Sequence, residues 1–151
     1  MPEKHHVPFI MVGPGTGVVP FVGFMQDKEM LLAKNKEEAF GHTYLFFGCR
    51  RSTSDFIYRE ELNRFKEENI LNDLFLAFSR DNYEKRVYVS DLLREQKDMV
   101  VEVLLNKGGY FYICGSMQMG HDVQNVLKEH IGEDNFKVLE KEKRLVKELW
   151  G

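Results

Sequence analysis

Four short apolar runs leave this chain few ways to fold, because each gives way to a polar stretch with apolar residues at spacings of three and four. The runs are Pro8-Phe9-Ile10-Met11-Val12, Thr43-Tyr44-Leu45-Phe46-Phe47-Gly48, Leu74-Phe75-Leu76-Ala77-Phe78 and Tyr110-Phe111-Tyr112-Ile113-Cys114. They show little alternation and so read as strands buried on both faces. Between them, Phe21, Phe24, Met25 and Leu31 or Leu32 mark one helix. A second spans Asp55 to Glu68, with Phe56, Leu62 and Phe65 on one face. Ser90 reads as the N-cap of a third running to about Leu105, and Met117 to Ile131 forms a fourth. A short charged helix from Asp134 to Lys143 and a last strand from Leu145 complete the chain. Strand and helix alternating about every 30 residues predict an α/β fold: an open parallel five-stranded sheet with helices on both faces.

The chemistry gathers at the carboxyl ends of these strands, the edge where open α/β sheets bind ligands. The first run ends in Gly13-Pro14-Gly15-Thr16-Gly17 and leads into a helix. Bare backbone amides beside a helix N-terminus suit a phosphate, and Thr16 adds a hydroxyl. The spacing differs from the G-x-G-x-x-G dinucleotide fingerprint. Taken alone, the turn also fits a plain strand-to-helix connection. The other ends are Cys49-Arg50-Arg51, Ser79-Arg80 and Cys114-Gly115-Ser116. Four glycine-rich or polar ends on one edge favour a ligand.

Ser79, Arg80, the Lys85/Arg86 pair and Tyr88 form a compact anion site suited to a phosphate monoester. The competing reading is a solvated loop in which Arg80 pairs with Asp81. A site selective for NADP needs such cations for the 2′-phosphate, whereas an NAD site ends its second strand on a carboxylate. Here Arg50 stands at that position.

Composition excludes several partners. With 151 residues, 43% of them hydrophobic, the chain can build one core. Its formal charge of -3 leaves no basic excess for nucleic acid. No apolar run reaches the roughly 18 residues of a membrane span. Cys49 and Cys114 suggest no disulfide framework, which points to a reduced compartment, cytoplasmic or cytosol-facing. The five histidines give no metal-ligand spacing. The chain opens almost directly on a strand, as a domain within a larger protein would, so residues 1–151 are expected to be one C-terminal module.

Five stretches in order carry a resemblance: Val12 to Phe21, Phe47-Gly48-Cys49-Arg50, Asp55 to Leu62, Ala77-Phe78-Ser79-Arg80-Asp81 and Tyr112-Ile113-Cys114-Gly115. Together they resemble the NADPH-binding domain of the diflavin reductases, a family that includes cytochrome P-450 reductase and the sulfite reductase flavoprotein. The resemblance covers nearly the whole chain and implies a ferredoxin–NADP reductase-like module. It implies that NADPH passes a hydride to FAD held mainly by an upstream domain. Electrons then go to FMN in a further domain, and on to an acceptor protein or a fused oxidoreductase module.

By the same resemblance, Gly15 and Thr16, in the turn with Gly13, Pro14 and Gly17, would hold the pyrophosphate. Arg50 would lie along the cofactor beside Cys49, and Ser79, Arg80 and Tyr88 would hold the 2′-phosphate. Cys114 would sit by the nicotinamide, with Gly115, Ser116, Met119 and Asp122 near the ribose or nicotinamide. Trp150 would stack on the FAD ring, with Glu148 as its acidic neighbour. Three departures stand out. Either Lys85 or Arg86 fits the family's single lysine, position favouring Arg86; Ser116 replaces a common aspartate; and Glu148 replaces another. A binding module with a structural or regulatory nucleotide and no hydride chemistry is the rival reading. An aromatic residue at position 150 and a thiol at 114 have no use in such a module.

Overall fold

The computed structural model describes residues 1–35, 39–49, 58–79 and 86–151. Strands β1 (Phe9–Val12), β2 (Thr43–Cys49), β3 (Asp73–Phe78), β4 (Tyr110–Ser116) and β5 (Leu145–Trp150) form one sheet in the order β3-β2-β1-β4-β5. Every pairing is parallel. The chain steps outward from β1 to β3, then crosses to the other side of β1 for β4 and β5. The order therefore reverses between β1 and β4, and their carboxyl ends diverge around a crevice.

Helices α1 (Val19–Lys34) and α2 (Arg59–Glu67) cover one face of the sheet. Phe21, Val22, Met25, Leu62 and Phe65 there meet Phe9, Met11, Leu45, Phe47, Tyr112 and Cys114. The other face carries α3 (Val89–Glu95), α4 (Lys97–Val101), α5 (Met117–Ile131) and α6 (Glu133–Lys141). Their apolar residues pack on Ile10, Val12, Phe46, Phe111 and Ile113. Strand period two thus sends alternate residues of β1 and β4 into two separate cores, which is why these runs are apolar throughout. Among the described residues two helices cover the first face, and Val146, Glu148 and Trp150 of β5 stay exposed on it. Among the described residues no helix is long and apolar enough to cross a membrane.

Three local features depart from the periodicity. Ser90 lies inside α3 rather than capping it; the N-cap is Tyr88, whose backbone N–H donates to the Asp91 carboxylate at 2.8 Å. The acidic residue three positions on thus caps α3 in place of Ser90. The helix expected to run on to Leu105 is interrupted at Gln96 and ends in a π-helical turn over Glu102–Asn106. There Lys107 N–H reaches back to Glu102 O at 3.0 Å, and Gly109 N–H to Val103 O at 2.7 Å. Arg144 takes the Leu104 carbonyl and that of Gly109, both at 2.9 Å. Its side chain is 13% exposed, so these are carbonyls with little water to replace the guanidinium. Arg144→Ala is therefore expected to lower stability by about 2 kcal/mol, read as a fall in the urea midpoint at constant m. An unchanged midpoint would mean that water caps the turn equally well.

The third feature is Lys28 on α1, which is only 2% exposed. Its ammonium donates to Ile70 O at 2.6 Å, Thr43 Oγ1 at 3.4 Å and Asn72 Oδ1 at 3.5 Å. Thr43 and Asn72 also bond each other, so one buried polar knot ties α1 to the starts of β2 and β3.

Candidate functional site

A cleft of about 900 Å³ opens at the carboxyl edge of the sheet. Its floor is made where strands present little side chain: Gly48 of β2 is paired with Ala77 of β3, and both line the cleft. From the first strand end, Pro14, Gly15 and Thr16 enter it. A single turn of 3-10 helix (Gly15–Val18) joins β1 to α1 and turns these residues toward the crevice. Gly15 has φ +56°, a conformation that disfavours any residue with a Cβ, and open space where that Cβ would be. Thr16 is exposed. The other two glycines face inward. Gly13 is buried, and Gly17 packs so closely on β4 that an added Cβ would lie 2.2 Å from the Cys114 carbonyl oxygen.

On the β2–β3 side the cleft is lined by Cys49, Ser79, Val87, Tyr88, Val89 and Ser90. Ser79 N–H donates to Cys49 O at 3.0 Å, which holds the third strand end beside the second. Tyr88 is 50% exposed, leaving its ring free to lie along a ligand. Arg86 is exposed and lines an adjoining cavity of about 340 Å³, shared with Val87, Asp91, Arg94 and Glu95. Arg94 is engaged by Asp91 at 3.7 Å and Glu129 at 3.4 Å. Among the described residues, Arg86 forms no such ion pair. Arg50, Arg80 and Lys85 lie outside the described residues.

On the β4–β5 side Gly115, Ser116, Gln118, Met119, Asp122 and Trp150 line the cleft. Ser116 caps α5: its Oγ accepts from Met119 N–H at 3.1 Å. The serine therefore keeps the cap that an aspartate would supply, without adding a negative charge. Trp150 is 47% exposed and stands opposite Ser116, while Glu148 stands opposite Cys114 in the same register. All four residues belong to one face of the sheet, at alternate positions of paired strands. Cys114 itself is 4% exposed and does not line the cleft, and neither does the exposed Glu148. Burial, and to a lesser degree the Glu148 carboxylate, pushes the Cys114 thiol up, so it stays protonated at neutral pH. Neither Cys49 nor Cys114 forms a disulfide. Their strands flank β1, two strand spacings or about 10 Å apart, too far for a disulfide.

Of the residues singled out in the sequence, Pro14, Gly15, Thr16, Cys49, Ser79, Tyr88, Gly115, Ser116, Met119, Asp122 and Trp150 line one cleft, whereas Gly13, Gly17, Cys114 and Glu148 do not. Gly48, Ala77, Val87, Val89, Ser90 and Gln118 also line it and were not singled out. Gly48 and Ala77 were legible as small residues in otherwise bulky strands. The sequence pattern marks Ser90 as a cap, and nothing local marks Gln118.

The family described as the oxidoreductase NAD-binding domain matches residues 11–125. Methionine synthase reductase of Rattus norvegicus is 37% identical over 167 residues, covering 99% of this chain and 24% of that protein. NADPH–cytochrome P450 reductase of Musca domestica is 40% identical over 161 residues, covering 99% of this chain and 23% of the relative. The same enzyme of Mus musculus is 44% identical over 134 residues, covering 88% of the chain and 19% of the relative. The chain thus spans a quarter or less of the length of these relatives. A cleft at the reversal of strand order, lined by all four anticipated strand ends, agrees with what these matches establish: the chain belongs to the oxidoreductase NAD-binding domain family, and its relatives are diflavin reductases.

Proposed function

We propose that this chain is the NADPH-binding domain of a larger NADPH-dependent flavoprotein reductase, in a reduced, cytosol-facing compartment. It would present NADPH to an FAD held mainly by an upstream domain of the same protein, with FMN and an electron acceptor beyond. One observation carries the reading: a single cleft joins an open glycine turn, a hydroxyl- and aromatic-lined side leading to Arg86, and a wall ending in Trp150.

Residues fit each part of the nucleotide. Gly15 leaves room for a pyrophosphate and Thr16 offers a hydroxyl donor. Ser79, Arg80 and Tyr88, with either Lys85 or Arg86, would supply donors and charge for a 2′-phosphate. Arg50 and Cys49 would lie along the cofactor. Met119 and Asp122, which line the cleft, would touch the ribose or nicotinamide portion. When bound, the nicotinamide supplies a hydride equivalent. Trp150 covers that end of the cleft and would stack on the flavin until the nicotinamide displaces it. Cys114, kept as a thiol, and Glu148 beside it give a donor and a carboxylate under that position. The exposed strip Val146, Glu148 and Trp150 is where a flavin-bearing neighbour would pack. A binding module with no hydride chemistry would need none of these three features.

The 2′-phosphate assignment is tested by calorimetric titration with 2′-phospho-AMP and AMP. A charged hydrogen bond is worth about 1.5–3 kcal/mol, so 2′-phospho-AMP is expected to bind at least about tenfold more tightly. Arg86→Ala should remove most of that preference and leave AMP unchanged. Equal binding of the two nucleotides by the native chain would overturn the reading.

A further inference from the structure

The cavity beside the cleft is lined by two guanidinium groups, Arg86 and Arg94, and two carboxylates, Asp91 and Glu95, together with Val87. The fold itself requires Asp91 there. Its carboxylate accepts from Tyr88 N–H at 2.8 Å, and that bond caps α3 and holds Tyr88 at the cleft wall. The cap therefore brings a negative charge into the cavity that Arg86 shares, where it would repel a phosphate and compete with it for the guanidinium. Arg94, one turn further along α3, approaches the second Asp91 oxygen at 3.7 Å and Glu129 of α5 at 3.4 Å. His130 of α5 donates from Nε2 to the Leu93 carbonyl at 3.0 Å, so the helix that carries Arg94 is fastened to α5 beside that pair.

We propose that Arg94 is a specificity-determining residue that acts on the 2′-phosphate without touching it: by pairing with Asp91 it offsets the capping carboxylate and leaves Arg86 to the phosphate. The inference rests on the reading that the cleft holds NADP(H). Without Arg94, one guanidinium would face two carboxylates across the cavity. Asp91 cannot simply be dispensed with, since Tyr88 takes its place through the same carboxylate. The Arg94 and Asp91 side chains are 52% and 44% exposed, so the effect is modest and screened by salt.

The test is a double-mutant cycle on the full chain, read by calorimetric titration at low ionic strength with 2′-phospho-AMP and, separately, with AMP. Arg94→Ala is expected to weaken 2′-phospho-AMP by about twofold to fivefold and to leave AMP unchanged. Arg94→Lys, which keeps the charge, should restore most of the loss. In an Asp91→Asn background the same Arg94→Ala change should cost clearly less, because the carboxylate it offsets is gone. An equal loss for both nucleotides, the same loss in both backgrounds, or no loss for 2′-phospho-AMP would each overturn the proposal. The two readings fail separately. If the native chain does not prefer 2′-phospho-AMP over AMP, the NADP assignment falls. If it does and the cycle shows no coupling, only the role of Arg94 falls.

Discussion

Replacing Gly17 with alanine is expected to destabilise the protein by about 3 kcal/mol or more and to abolish measurable nucleotide binding with it. The added Cβ would lie 2.2 Å from the Cys114 carbonyl oxygen and 3.0 Å from its carbon. Both are backbone atoms of a central strand, so no rotamer change relieves the clash. Either β4 moves, disturbing Gly115 and Ser116, or the 3-10 turn moves, carrying Pro14, Gly15 and Thr16 out of the cleft. Gly15→Ala is the informative contrast. At φ +56° it carries left-handed backbone strain of roughly 1–2 kcal/mol, but nothing lies within 4 Å of the new Cβ. Urea denaturation should therefore rank Gly17→Ala well below Gly15→Ala. Its side chain would crowd the phosphate position while leaving the fold largely intact. A Gly17→Ala protein as stable as the native one would mean that the turn does not rest on β4 as described.

The second large effect concerns Lys28. Burial lowers its ammonium from the ordinary 10.5 to about 8. Among the described residues its acceptors are a carbonyl, a hydroxyl and an amide oxygen, with no carboxylate. Because the folded pKa lies below the unfolded one, the unfolded chain binds more protons between the two values, and stability rises with pH through that window. The penalty is fully present below pH 8 and relieved as pH approaches 10.5. At 1.36 kcal/mol per pKa unit its upper limit is about 3 kcal/mol. Tyr112, pushed up to about 12, and Cys114, also raised, act in the opposite direction at high pH. The expected result is therefore a difference: between pH 7 and 10, native stability rises relative to Lys28→Met. The methionine fills the space without titrating, and leaves the Ile70 carbonyl and the Thr43–Asn72 pair without their buried donor. At pH 10 the variant should be less stable by about 2 kcal/mol or more. Parallel pH profiles for the two proteins would show that Lys28 does not titrate in this window.

The amide of Gln118 and the ammonium of Lys28 illustrate what a sequence leaves hidden. Lys28 sits in a run of helix residues whose charge suggests solvent, and its burial follows from where α1 lands on the sheet. Its partners Thr43, Ile70 and Asn72 come from distant segments. Gln118 is an ordinary helix residue until the α5 wall is placed beside the cleft. The glycines divide in the same way. Their spacing announced a turn, but only packing separates Gly15, open to the cleft, from Gly17, pressed against β4. The capping of α3 by Asp91 instead of Ser90 was a local choice between two good candidates, resolved by the backbone path through Val87 and Tyr88.

Before any folding, the chain's order of residues already determined its α/β class, its parallel sheet and the alignment of four chemical strand ends along one edge. These follow from period and connectivity, since a strand repeating every helix-length must run parallel and present its carboxyl end on the same side. Tertiary structure decided which of those residues face a common space. Strand order put the reversal between β1 and β4, and the twofold alternation of β4 and β5 placed Cys114, Ser116, Glu148 and Trp150 on one face. Close backbone contact then set Cys114 beneath the surface while leaving Trp150 exposed above the cleft. Sequence pattern specifies direction along the chain, but depth within a site is fixed by packing between segments that the chain keeps far apart.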